Sequence, residues 1–107
     1  MNVATVESKY GGLIEATAKE QALGISLAVV KKNLEVQILT ATAEGKIDGK
    51  NVQAREASAY ALFPDAHEDI IQLEQQYTDA QNKRRLAQLE VDCLRDMIRV
   101  EELSRAR

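Results

Sequence analysis

Residues able to do covalent or acid–base chemistry are few and widely spaced in this chain. His67 and Cys93 are the only residues of their kinds. On one continuous helix they would lie about 39 Å apart at about 1.5 Å per residue, too far for a thiol–imidazole dyad. The simpler reading puts His67 in solvent in the first turn of a helix, and Cys93 on an apolar seam as a small hydrophobe. A zinc site would need a second His or Cys, and there is none. Asp65, Glu68 and Asp69 cluster where a helix starts and complement its dipole, while Asp92 and Asp96 stand one turn apart beside Arg95 and Arg99. Both groups read as solvated faces. Gly45-Lys46 and Gly49-Lys50 invite comparison with a phosphate loop. Three residues, not four, separate the glycines, and Asn51 follows Lys50 where Ser or Thr is required. This stretch reads as an interhelical loop. The expectation is a non-enzyme with no catalytic residue, no metal and no cofactor.

One basic run, Lys83-Arg84-Arg85, has two readings. Arg84 falls on an apolar seam, where an aliphatic residue is expected. It can snorkel or pair across the bundle with a carboxylate, Glu20 being the charged gap in the facing seam. Alternatively, Lys83, Arg84 and Arg85 together contact an anion or a nucleic-acid backbone. Tyr10, Tyr60, Phe63 and Tyr77 are not interleaved with this run, so stacking of bases beside it is not indicated.

These residues are positioned by long amphipathic elements. Asp65 to about Ser104 contains no Gly or Pro and predicts one uninterrupted helix over 65–104. Pro64 marks the break before it, and Asp65 with Glu68 predicts an N-cap and capping box. Ile70, Leu73, Tyr77, Ala80, Arg84, Ala87, Val91, Leu94 and Ile98 step alternately by three and four, a coiled-coil seam. A second seam follows Leu86, Leu89, Cys93, Met97 and Val100, and reaches Leu103. Two stripes on one segment require two neighbours, so Leu86, Leu89, Cys93, Met97 and Val100 are the expected oligomer interface.

Residues 13–43 predict the other long helix. One seam reads Leu13, Ala16, Glu20, Leu23, Leu27, Val30, Leu34, Gln37 and Ala41; a parallel one reads Ile14, Ala18, Ala22, Ile25, Val29, Lys32, Val36, Leu39 and Ala43. Leu34, Val36, Ile38 and Thr40 also alternate as in a strand. The helical pattern upstream enters this stretch without a breaker, and helix is the reading adopted. Residues 1–12, with Gly11-Gly12, are expected to be a frayed or flexible lead-in, because two glycines weaken a helix by about 2 kcal/mol; a helix runs through them only if partners hold it. Residues 44–51 predict a loop, with Gly45 as helix cap and Asp48-Gly49 as a turn. Asn51 is placed to cap a short helix over 52–63. The fold class is therefore all-α: a long helical hairpin with a short connecting helix, in one domain of 107 residues.

Composition agrees with this architecture. Aromatic residues make up only 4% against 45% hydrophobic, so the core must be aliphatic. A net charge of −3 disfavours nucleic acid as the main partner, although a local basic patch is compatible with it. A single cysteine, no secretory leader pattern and no apolar run near the roughly 18 residues that span a bilayer point to the reducing cytoplasm and away from a membrane.

The order of a long helix, then EGK (Glu44-Gly45-Lys46), then Arg55-Glu56-Ala57, then a long charged coiled-coil helix resembles a group of small helical bacteriophage proteins. These are often encoded near recombination and single-strand-binding functions. The resemblance implies an accessory protein in the host-cell cytoplasm, with no catalytic residues to carry over. Three functions follow as expectations. The first is a non-enzymatic oligomer that binds a host or phage protein. The second is a nucleic-acid accessory factor using Lys83, Arg84 and Arg85. The third is a protein that sequesters a small signalling nucleotide between protomers.

Overall fold

A computed structural model describes residues 2–106. The chain is all-α, with the order α1 (Val3–Ala43), α2 (Val52–Leu62) and α3 (Pro64–Arg105), and no strand occurs among the described residues. It is a helical hairpin of two long helices joined by a short one. Its contacts group into two compact units, one formed by Met1–Ala22 with Thr78–Arg107 and the other by Leu23–Tyr77.

In the first unit, α1 and α3 run antiparallel. Lys9 pairs with Glu90 at 3.2 Å, and Glu20 pairs with Arg84 at 2.6 Å, so rising numbers in α1 meet falling numbers in α3. Ala80, Val91 and Leu94 are buried along this seam, Val91 completely. Leu13, Ala16, Ala87 and Ile98 are half-buried beside them, as their spacing predicts.

The helix begins at Val3, which corrects the expected lead-in over 1–12. The seam continues upstream of Leu13 through a half-buried Val6, and Lys9 and Tyr10 both reach α3. These tethers hold the turns before Gly11-Gly12 and offset the glycine penalty. Asn2 caps the start: its side-chain Oδ1 accepts from the Ala4 N–H at 2.9 Å.

The second unit holds the turn of the hairpin. Leu27 and Leu34 are buried on α1, and Lys31 pairs with Glu74 of α3 at 3.3 Å. Stretch 34–42 is helical. Leu34 and Ala41 are buried and Ile38 is half-buried, steps of four and three, while Val36 and Leu39 stay exposed, so burial follows a helical period. The Thr40 and Thr42 hydroxyls donate to the carbonyls of Val36 and Ile38, which satisfies them within the helix. Gly24 faces the ring of Tyr77: a Cβ there would lie 3.1 Å from Tyr77 Cε2.

α1 ends where expected. Gly45 has φ 76°, its N–H donates to the Thr42 carbonyl, and the Lys46 N–H donates to the Ala41 carbonyl. This is a Schellman cap, and glycine supplies the left-handed residue it needs. Ile47 then folds back onto Ala41 and Ala59, with Ile38 and Phe63 against the cluster. The Lys50 N–H donates to Asp48 Oδ1, closing the turn at Asp48-Gly49. Asn51 caps α2, its Oδ1 accepting from the Ala54 N–H at 2.7 Å.

The entry to α3 differs from the sequence reading. α2 ends at Leu62, Phe63 is the junction, and Pro64 is itself the first residue of α3. The His67 N–H donates to the Phe63 carbonyl at 3.2 Å, so the first helical bond starts two residues before the expected Asp65 cap. Proline suits this position because its fixed φ is helical and its missing N–H would have had no intrahelical partner.

Candidate functional site

Consecutive residues of a helix point about 100° apart, so Lys83, Arg84 and Arg85 cannot share one face. Arg84 turns inward, and its Nε donates to Glu20 Oε2 at 2.6 Å. The Glu20 side chain is 14% exposed and that of Arg84 32%, so the charged gap of one seam fills that of the other. Lys83 and Arg85 are exposed. Lys83 lines a shallow groove of about 230 Å³ with Gly12, Glu15, Ala16, Lys19 and Ala80. The basic run is thereby split into one structural arginine and two surface charges.

Tyr10 and Arg95 form a further cross-helix contact, with Arg95 Nε donating to the tyrosine oxygen at 3.3 Å. This bond, with the nearby Asp92 and Asp96, favours the charged guanidinium and raises its pKa. The Lys9–Glu90 and Tyr10–Arg95 contacts were hidden in the sequence by the glycine pair that follows them.

His67 is half-buried, not free in solvent. Its Nδ1 lies 2.7 Å from the Phe63 carbonyl oxygen, which can only accept, and its ring tilts against Tyr60 with centroids 5.1 Å apart. It ties the α2–α3 junction together. Cys93 is exposed and lies in the other unit. Among the described residues, no group of three or more His, Cys, Asp or Glu is placed to hold a metal ion.

A groove of about 300 Å³ opens at the turn of the second unit, lined by Val36, Gln37, Thr40, Ala41, Leu62 and Phe63, with Glu44 and Lys46 also on its wall. Lys46 is 2.8 Å from Glu44, and that hydrogen bond with the accompanying charge attraction raises its pKa. With its lysine already paired, this wall offers a phosphate group little to bind. Sequence reading missed the groove, because it depends on how α2 crosses the end of α1.

A further feature of the first unit is apolar. Leu86, Leu89, Met97 and Val100 are exposed by 62%, 62%, 53% and 62%, and Cys93 lies exposed among them. Leu103 prolongs the stripe. In the second unit, Ile25, Val29, Val36 and Leu39 form a matching exposed row on α1. Eight hydrophobic residues are buried among the described ones, against sixteen large hydrophobics left exposed.

Comparison with protein-family models, curated proteins and solved structures finds no match. No helix among the described residues is long and apolar enough to cross a membrane.

Proposed function

We propose that this chain is a non-enzymatic interaction protein that works as a helical oligomer, with Leu86, Leu89, Cys93, Met97 and Val100 as its self-association surface. The observation that carries this reading is the exposure of that stripe on a helix whose opposite side is already buried against α1. Burying each of these side chains would contribute about 1–2 kcal/mol, or about 5–10 kcal/mol per protomer. Two protomers together would gain about 10–20 kcal/mol, against about 4–15 kcal/mol of freedom lost on association. The apolar row on α1 then remains for a host or phage protein. The bacteriophage accessory role and the cytoplasmic setting belong to the same proposal and rest on the Arg55-Glu56-Ala57 resemblance.

Light scattering at micromolar concentration tests the reading on the wild type, Leu89→Glu and Met97→Glu. Both substitutions fall on exposed positions, so helicity should be kept while the oligomer dissociates. A wild type of monomer mass, or variants that associate as the wild type does, would overturn the proposal.

A further inference from the structure

The chain carries two exposed apolar rows, one in each unit, and they match. On α1, Ile25, Val29, Lys32, Val36, Leu39 and Ala43 are exposed and step by four, three, four, three and four. On α3, Leu86, Leu89, Cys93, Asp96, Val100 and Leu103 are exposed and step by three, four, three, four and three, with Met97 widening the stripe beside Asp96. Both are unbroken heptad seams of the kind that pack knobs into holes. At about 1.5 Å per residue, the first is about 27 Å long and the second about 26 Å.

Each row has one charged member, and the two are opposite in sign: Lys32 on α1 and Asp96 on α3. A charge inside a seam selects the seam it can face. When the α3 stripe packs on its own copy, an antiparallel pair with all six places aligned sets Asp96 on the partner's Cys93, and a parallel pair in register sets it on the partner's Asp96. The α1 row on its own copy sets Lys32 on Val36 or on Lys32. Only the pairing of unlike rows gives each charge a counter-charge. Contacts within the chain leave both residues accessible. Lys32 Nζ lies 3.8 Å from Glu35, one turn on, with the two side chains 72% and 63% in water, so that pair holds the lysine weakly. Asp96 stands beside Arg95, whose Nε already donates to Tyr10.

We infer that the α3 stripe of one copy is covered by the α1 row of another, with Asp96 against the partner's Lys32. The inference rests on the self-association proposed above and names what covers its surface. The contact joins unlike surfaces, and every copy carries one of each. A host or phage protein at the α1 row then competes with a second copy of the chain for it.

Complementation between two full-length variants tests this. Val29→Glu spoils the α1 row and leaves the α3 stripe intact; Leu89→Glu does the reverse. Both positions are exposed, so each variant should keep its helicity by circular dichroism. Each alone should sediment as a monomer at micromolar concentration. Mixed one to one, they should form a complex about tenfold or more tighter than either forms with itself, because one intact stripe then meets one intact row. Leu39→Glu in place of Val29→Glu should behave in the same way. Val29→Glu and Leu39→Glu variants that associate as the wild type does would overturn the inference and leave self-association through α3 standing. So would two monomeric variants whose mixture stays monomeric beside an oligomeric wild type. A monomeric wild type would overturn the underlying reading, and the inference with it.

The charged pair gives a second measurement with both apolar rows intact. Lys32→Gln and Asp96→Asn should each raise the Kd of self-association by about fivefold, and the double variant should be no weaker than about twofold beyond either. Effects that multiply in the double variant would overturn the placement of Lys32 on Asp96.

Discussion

Replacing Glu20 by Leu removes the carboxylate that accepts from Arg84 Nε at 2.6 Å. Breaking a fully buried pair costs about 3–5 kcal/mol, because the surviving charge is left in an apolar setting. Arg84 keeps 32% of its side-chain surface in water, so the expected cost is lower, about 1–3 kcal/mol. At about 4 °C per kcal/mol, melting should fall by about 4–12 °C. Arg84→Leu should cost a similar amount, since it strands Glu20, the more enclosed partner. The double variant Glu20→Leu/Arg84→Leu should return to within about 1 kcal/mol of the wild type. Its leucines would sit in seams next to Ala16, Ala80 and Ala87, which leave room for them. The assay is a double-mutant cycle by thermal and urea unfolding at one fixed protein concentration, since association also contributes to apparent stability. Single costs below about 0.5 kcal/mol that simply add would refute the reasoning. Arg84 would then be no strut between the seams, and a role toward an external anion would gain ground.

The remaining predictions concern the local devices and the competing function. Gly11→Ala and Gly12→Ala should each stabilise by about 0.5–1 kcal/mol in thermal melts, because both lie inside α1 and an added Cβ meets nothing within 4 Å. Asn51→Ala should cost about 1 kcal/mol by urea unfolding through loss of the α2 cap, and Gly45→Ala about 1–2 kcal/mol through its left-handed backbone. Titration of labelled single-stranded DNA at low salt should show no saturable binding. Binding that weakens with salt and is lost in Lys83→Glu/Arg85→Glu would move the function to nucleic acid.

Much of the fold was legible because a few strong periodic signals agreed. The seam through Leu27, Leu34 and Ala41 and the seam through Ala80, Val91 and Leu94 name six of the eight buried residues. Gly45 and Asn51 were readable as caps because each supplies something other residues lack: freedom at positive φ in one case, a short acceptor side chain in the other. The partner of Arg84 was legible as the only charged member of the facing seam.

What escaped the sequence were effects of tertiary contact on local propensity. Gly11-Gly12 suggested an end to helix, yet Lys9 and Tyr10 are held on α3 beyond it. Pro64 reads as a break in the sequence and opens the helix in the structure, because a proline before an aspartate satisfies both patterns and only the Phe63 carbonyl decides between them. The half-burial of His67 and the groove beside Leu62 and Phe63 follow from the placement of α2, which the spacing within each helix does not encode.

Sedimentation velocity of the wild type over the micromolar range is the most direct test of the central claim. The apolar stripe on α3 predicts a reversible rise in mass with concentration toward at least twice the 11.9 kDa of one chain, with Leu89→Glu remaining a helical monomer throughout. A wild type that sediments as a monomer over the whole range would contradict it.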